Sequence, residues 1–170
     1  MLNRRRLIAA GGSLAAVVLA GVPPRLRAQT GAADLSRALV ESELVYLSPL
    51  RSDGSLSQCQ AEVWFAYVDD AIFVVTASDA WRAQAVTRGL QQTHVWVGDV
   101  GQWRSSREAY LQLPALKAQA DFVRETDAQT RVLAAMGGKY SAEWGAWGPR
   151  FRNGLADGSR VMLRYQPQPA

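Results

Sequence analysis

The chain is poor in the residues that build disulfides and metal sites. Its 170 residues include one cysteine, Cys59, and one histidine, His94. A single cysteine excludes an intramolecular disulfide, a Cys-x-x-Cys redox centre and a cysteine-rich zinc site. A conventional zinc site takes two or three histidine or cysteine ligands, so we predict no metal site. We predict a buried structural thiol at Cys59, with a nucleophile as the alternative, and a packed ring at His94, with a catalytic or haem-ligand role as the alternative.

The surplus of basic residues is confined to the start of the chain. The whole sequence has 19 Lys and Arg against 15 Asp and Glu, but residues 1–28 hold five arginines and no acid. That leaves 14 basic against 15 acidic residues in the remainder. Nucleic-acid binding needs a clustered excess of Lys and Arg on the folded domain, so we predict no nucleic-acid partner.

Residues 1–28 are typical of a signal peptide. The run RRRLI at residues 4–8 precedes an apolar stretch at 9–22, which is too short for a comfortable transmembrane helix. A retained membrane anchor is the alternative. The arginines followed by Leu7 and Ile8 resemble a twin-arginine signal. We therefore predict a periplasmic or exported protein that is cleaved within residues 28–33 and touches the membrane only through the uncleaved leader.

The rest of the sequence predicts one domain, residues 34–166, and a short tail, 167–170. Alternating or short apolar runs predict six strands, at 44–48, 60–67, 72–76, 93–98, 118–124 and 161–165. Asp53-Gly54 predicts a tight turn after the first strand. A helix capped by Asp34 is expected at 34–42 to cover one end of the barrel, and another follows Ser78. A third is expected from Thr126, with Gln129 completing a capping box, to Gly137-Gly138.

Three further features suggest a pocket. The strand that ends at Thr76 turns into a helix at Ser78, with Arg82 one turn later, and these groups together outline an anion site. The alternative is that Ser78 is only a helix cap and Arg82 a solvated side chain. The irregular segment 99–114 carries Trp103 beside glycine, as pocket-lining loops often do. Trp144 and Trp147 could stack on a ring or an anion, although plugging an end of the barrel is favoured.

Residues 60–90 resemble the core of the FMN-binding split barrel, the pyridoxamine 5′-phosphate oxidase-like superfamily. The resemblance rests on the Val63-Trp64-Phe65 strand, the strand that ends at Thr76, and the Ser78 turn followed by Arg82. The segment 46–54, with its Asp-Gly turn, is similar to the first strand and hairpin of that family. The order of elements fits from about residue 43 to residue 100, and more loosely to residue 166.

The resemblance implies a mainly β fold with helices, namely a six-stranded antiparallel split β-barrel with peripheral helices, assembled as a homodimer. It implies that FMN binds with its ring along Val63, Trp64 and Phe65 and its phosphate at Thr76, Ser78 and Arg82. Gln60 and Trp81 depart from the family pattern, which places basic residues at or near those two positions. The phosphate site implied for this chain therefore has fewer basic residues than that of a strong FMN binder. Pyridoxine oxidase activity is not supported.

The resulting functional hypothesis is an exported flavin-type oxidoreductase acting on a small molecule. FMN is the expected cofactor, with a deazaflavin coenzyme or haem as alternatives. In flavin chemistry the cofactor carries the hydride, which agrees with the lack of a recognisable catalytic triad or carboxylate pair. Two other readings stay open: a cofactor- or haem-binding protein of the periplasm without turnover, and a structural or partner-binding barrel with no ligand.

Overall fold

A computed structural model describes residues 24–58 and 60–169. This part of the chain forms seven strands, four α-helices and one 3₁₀ helix, Ala109–Gln112. The strands are β1 Leu44–Pro49, β2 Ala61–Trp64, β3 Ala66–Val68, β4 Ala71–Ala77, β5 Gln92–Val97, β6 Ala115–Val123 and β7 Arg160–Pro167. The α-helices are α1 Pro24–Glu41, α2 Trp81–Thr87, α3 Thr126–Lys139 and α4 Ser141–Asp157.

The strands form one antiparallel sheet in the order β2-β1-β5-β6-β7-β4-β3. The two outermost strands, β2 and β3, follow one another directly in the chain, and the sheet curls into a nearly closed barrel whose seam lies between them. The mainly β barrel with peripheral helices is therefore confirmed. The strand number differs, seven against six, because the predicted strand 60–67 divides at Phe65 and its halves pair at opposite edges: β2 with β1, and β3 with β4.

The predicted alternation along 60–67 survives this division. Val63, Phe65 and Tyr67 face the barrel core, with Phe65 fully buried, while Trp64 and Ala66 face a second apolar cluster beneath α3 and α4. Asp69 and Asp70 then adopt positive φ angles of 49° and 56° in the tight turn to β4. As predicted, β4 is buried along nearly its whole length.

The three predicted helices differ from the observed ones mainly at their ends, whereas α4 lies where the sequence analysis predicts no helix. The apolar side of α1, with Leu35, Ala38 and Leu39, packs on the barrel core as expected. The prediction that Asp34 caps this helix is wrong, since α1 begins at Pro24, and Asp34 instead forms an ion pair with Arg37 inside the helix.

The predicted caps of α2 and α3 are also wrong. The cap of α2 is Ala80, because the backbone and hydroxyl of Ser78 bond to Ser159 near the start of β7. Thr126 is the first residue of α3 and forms no capping box, since the Gln129 amide donates to the carbonyl of Val123. The expected stop at Gly137 is passed, and α3 continues to Lys139.

The last strand is longer than predicted. β7 continues to Pro167, and the Gln168 N–H donates to the Lys117 carbonyl at 2.9 Å. The predicted leader lies largely outside the described residues, as does Cys59, and the cleavage window 28–33 falls within α1. In the described ranges, no helix has the length and apolarity to cross a membrane.

Candidate cofactor site

The hydroxyl of Tyr140 forms hydrogen bonds to the backbone at the seam of the barrel. Tyr140, just after α3, accepts the Phe65 N–H at 2.9 Å and donates to the carbonyl of Glu43 at 2.7 Å, with the Phe65 carbonyl 2.9 Å away. Its ring stacks on Trp64, with centroids 4.4 Å apart and an interplanar angle of 7°. Burial raises the pKa of Tyr140 well above its usual range, so the hydroxyl keeps its proton.

Lys139 lies beside this tyrosine with its ammonium against an aromatic face. Its Nζ atom is 3.4 Å from the ring centroid of Phe65, close enough for a cation–π contact. Burial lowers the pKa of Lys139 to about 8, although the carboxylates of Asp99 and Glu43 act in the opposite direction. This amine therefore loses its proton at a lower pH than a solvated lysine does.

The six residues predicted to bind the cofactor lie in different surroundings. Val63 and Phe65 point into the barrel core, whereas Trp64 packs outside it against Tyr140 and, edge-on at 6.0 Å, against Trp147. The strand therefore presents its three side chains to two separate apolar clusters.

The predicted phosphate residues also have different partners. Thr76 is buried in β4, and the Ser78 hydroxyl donates to the Ser159 carbonyl at 3.2 Å. Arg82 lies close enough to the buried Tyr165 to oppose the rise in pKa that burial causes for that phenol. In the described part of the chain, no hydrogen bond links Thr76, Ser78 and Arg82 to one another.

Three buried polar atoms in this region have no partner within the described residues. They are the Trp81 Nε1, the Arg82 Nε and the hydroxyl of Tyr165, which is fully buried. Nearly all buried polar groups in folded proteins are hydrogen-bonded, so each of these atoms is a candidate to bind a water or a ligand. The Trp81 and Arg82 atoms can only donate, which fits an acceptor-rich group such as a phosphate.

A cavity of about 670 Å³ lies next to Trp81 and is called the Trp81 cavity below. It combines two tryptophans with two arginines and no acidic side chain. Its lining residues are Arg51, Ser52, Ser57, Gln58, Gln60, Trp81, Leu90, Trp103 and Arg104. Its size lies in the range of small-molecule sites, and its composition suits a planar ring that carries an anionic group.

The long loop after β5 is tied to β1, which positions Trp103 at this cavity. The Asp99 carboxylate accepts the N–H groups of Glu43 and Leu44, and the Tyr46 hydroxyl donates to the Gly101 carbonyl at 2.7 Å. The Trp103 N–H itself donates to Glu62 at 3.3 Å. The sequence prediction that this loop lines a pocket with Trp103 is therefore confirmed.

Arginines cover both tryptophans of the Trp81 cavity. Arg104 lies 5.2 Å from the ring of Trp103, and Arg88 lies 5.3 Å from the ring of Trp81. Sequence reasoning missed Arg51 and Arg104, which come from loops that only the fold brings together. Gln60 and Trp81, the two positions that depart from the family pattern, both line this cavity.

The remaining candidates pack elsewhere. His94 is half-buried, with its ring 4.2 Å from that of Trp96, and burial together with the charge of Lys117 lowers its pKa. A neutral imidazole at neutral pH keeps a lone pair for a ligand. Trp144 and Trp147 belong to α4 and pack against Phe151 beneath the helices. The described ranges contain no group of three or more His, Cys, Asp or Glu that could hold a metal ion.

No protein-family model matches the sequence, and no curated protein matches it. Solved structures do match the fold. The haem storage protein HutZ from Vibrio cholerae is similar over 81% of this chain and 90% of its own, with 17% identity and a TM-score of 0.56.

Two further structures extend the comparison. An FAD-binding protein from Mesorhizobium loti matches over 81% of this chain and 90% of its own, with 12% identity and a TM-score of 0.51. For a pyridoxamine 5′-phosphate oxidase-like protein from Listeria innocua, the figures are 79% of this chain, 91% of its own, 11% identity and 0.50. The chain therefore has the split-barrel fold of the pyridoxamine 5′-phosphate oxidase-like proteins.

Proposed function

We propose that the protein is a flavin-type oxidoreductase that binds FMN, or a deazaflavin coenzyme, at the Trp81 cavity. The observation that carries the proposal is the pairing of two tryptophans with two arginines in a cavity of this fold. Proteins that share the fold include an FAD-binding protein and pyridoxamine 5′-phosphate oxidase-like proteins. When bound, the flavin supplies hydride transfer, and the protein supplies binding and orientation.

In this proposal, different residues of the Trp81 cavity bind the phosphate and the apolar part of the cofactor. Arg51 and Arg104 bind the phosphate by charge-assisted hydrogen bonds, and the unpartnered Nε1 of Trp81 supplies a neutral donor. The Trp103 ring packs against the apolar part of the cofactor and excludes water from it. The lining of this cavity includes none of the predicted set, Val63, Trp64, Phe65, Thr76, Ser78 and Arg82.

Titration of the purified protein with FMN tests this assignment. We expect Arg51→Gln with Arg104→Gln to weaken FMN binding by about tenfold or more, the usual range for losing charge-assisted contacts. Arg107→Gln is the matched control, since Arg107 is exposed in the same loop as Arg104 but does not line the cavity. Equal affinity in all variants would place the cofactor elsewhere. Arg82→Gln tests separately the phosphate role that the family resemblance implies.

A haem-binding protein without turnover is the second candidate. HutZ and a haem-binding protein from Mycobacterium smegmatis share the fold, and the neutral imidazole of His94 is chemically able to bind iron. The absorption spectrum of the natively purified protein separates the candidates, because flavin and haem absorb differently. A Soret band that is lost in His94→Ala would support haem binding and overturn the flavin proposal.

We also propose export by the twin-arginine route, on the basis of the arginine run at residues 4–6. This route moves folded proteins, and a non-covalent cofactor bound in the cytoplasm stays bound only in the native state. Replacing the three arginines with lysine is expected to leave the folded protein in the cytoplasm. Continued export of this variant would contradict the proposal.

A further inference from the structure

A second, larger cavity lies on the other side of the barrel wall from the core. It has a volume of about 910 Å³ and opens between the end of β6, the start of β7 and the two helices α3 and α4. We call it the Trp144 cavity. It shares no lining residue with the Trp81 cavity, so the proposed cofactor site leaves it unexplained.

One wall of the Trp144 cavity is apolar. Val123 and Met162 come from the sheet, Leu133 and Leu155 come from the helices, and Trp144 lies between them. The Trp144 indole is held between two glycines, because a Cβ atom on Gly137 or Gly148 would come within 2.7 or 2.8 Å of it. The position of the indole is therefore set by α3 and α4 together.

The rim of the cavity is basic. Arg124, Arg152 and Arg160 line it, and no aspartate or glutamate does. The described part of the chain has two ion pairs, Arg37–Asp34 and Arg164–Asp121, and neither uses these arginines. Two of the guanidinium groups rest on rings: Arg124 lies 5.7 Å from Phe122, and Arg160 lies 5.4 Å from Phe151.

Two neutral polar side chains of the cavity already have partners within the chain. The amide of Gln129 donates to the Val123 carbonyl, and the hydroxyl of Thr130 donates to the Thr126 carbonyl. The charged donors that remain for a ligand are the guanidinium groups, which prefer carboxylate and phosphate oxygens. An apolar wall beside three arginines without acidic partners suits a molecule that has an apolar body and an anionic group.

We propose that the Trp144 cavity binds an amphipathic organic anion, meaning an apolar body of about drug size that bears one carboxylate or phosphate group. The apolar body packs on Trp144 and Leu155, which are half-buried. The anionic group binds Arg124 and Arg152 at the rim. This inference is independent of the proposed flavin site.

Calorimetric titration of the full-length protein tests it with three probes: decanoate, decyl phosphate and the neutral decanol. We expect saturable binding of at least one anion, with decanol weaker by about tenfold, because the alcohol forms no charge-assisted bond. The ratio between the two anions tells a carboxylate ligand from a phosphate ligand. Decanol binding as tightly as both anions, or no saturable binding of either anion, would overturn the proposal.

Variants locate the site. Arg124→Gln with Arg152→Gln should weaken anion binding by about tenfold, whereas Arg131→Gln, an exposed arginine of α3 outside the cavity, should leave it unchanged. Ala134→Trp fills the cavity from an exposed position on α3 and should abolish binding, while circular dichroism shows whether the fold is kept. FMN affinity should stay the same in every variant. Unchanged anion binding in the double variant would refute the assignment.

Discussion

The ammonium of Lys139 sits against the ring of Phe65 in a half-buried position, and its pKa falls to about 8. In the unfolded chain a lysine has a pKa near 10.4. Between these two pH values the unfolded state binds a proton that the folded state does not. The free energy of unfolding therefore gains a contribution from Lys139 as pH rises from about 8 to about 10, and loses it as pH falls.

We expect Lys139→Met to remove this contribution. Between pH 8 and pH 10, the free energy of unfolding of the variant should rise by on the order of 1–2 kcal/mol less than that of the wild type, after allowance for solvent screening. Lys117→Met is the natural control, because Lys117 is the only other lysine of the chain and lies exposed on β6. Urea unfolding at several pH values measures the difference. Parallel curves for the wild type and Lys139→Met would mean that the amine titrates normally.

Tyr140 should matter for stability through its hydroxyl. Tyr140→Phe keeps the stacking on Trp64 but leaves the buried Phe65 N–H without its partner at the seam. We expect a loss of about 1–3 kcal/mol, the usual cost of a buried unsatisfied donor. Tyr67→Phe serves as the comparison, since its hydroxyl makes only a 3.3 Å contact with the exposed Asp70. Equal urea midpoints for the two variants would contradict this role of Tyr140.

The sequence predicts the side-chain directions along a strand, but it does not predict the hydrogen-bond partners of the Tyr140 and Ser78 hydroxyls. Alternation along 60–67 placed Val63, Trp64 and Phe65 on the correct faces, because side-chain direction in a strand is a local property. The partner of Ser78 is Ser159, and that of Tyr140 is Phe65, 75 residues away. No local pattern specifies such pairs. The phosphate role of Thr76, Ser78 and Arg82 stays a prediction, and Arg82 does have an unpartnered donor.

At the scale of elements, α4 forms although the helix propensities of its residues argue against it. Gly145, Gly148 and Pro149 all disfavour a helix interior, yet α4 runs from Ser141 to Asp157. Tertiary packing overrides propensity here, because Gly148 and Gly137 provide the space in which the Trp144 indole lies between the helices. Phe151 and Trp147 then pack the same helix against the sheet.

This packing makes neighbouring glycines of α3 respond in opposite directions. Gly137→Ala would place a Cβ atom 2.7 Å from the Trp144 Nε1, and the indole cannot retreat toward Gly148, which it already touches. We expect a loss of about 1–3 kcal/mol from overpacking. Gly138→Ala meets nothing within 4 Å and should stabilise the helix by up to about 1 kcal/mol. Thermal unfolding of both variants measures the contrast, and destabilisation by both would mean that strain at Trp144 is not the cause.

At the scale of the whole molecule, the charged groups of the Trp81 cavity are open to solvent. They are Arg51 and Arg104, and both side chains are exposed. Exposed cations alone bind an anion weakly in water. A second copy of the chain, as the family resemblance implies, would add donors and remove water. We therefore propose that the protein works as a homodimer with the cofactor shared between its chains.

If the proposal is correct, dimerisation and FMN binding are thermodynamically linked. A ligand that binds the dimer better than the monomer must raise the dimer fraction, and dilution to monomer must weaken FMN binding by the same factor. We expect sedimentation velocity to show a larger dimer fraction when FMN is added at a fixed low protein concentration. FMN affinity, measured by fluorescence quenching, should rise with protein concentration over the same range.

In Arg51→Gln with Arg104→Gln, FMN should no longer shift the dimer fraction, because the contacts that distinguish the two states are gone. A monomer that binds FMN with the affinity of the dimer would show that one chain holds the complete site, and the inference of a shared cofactor would be wrong.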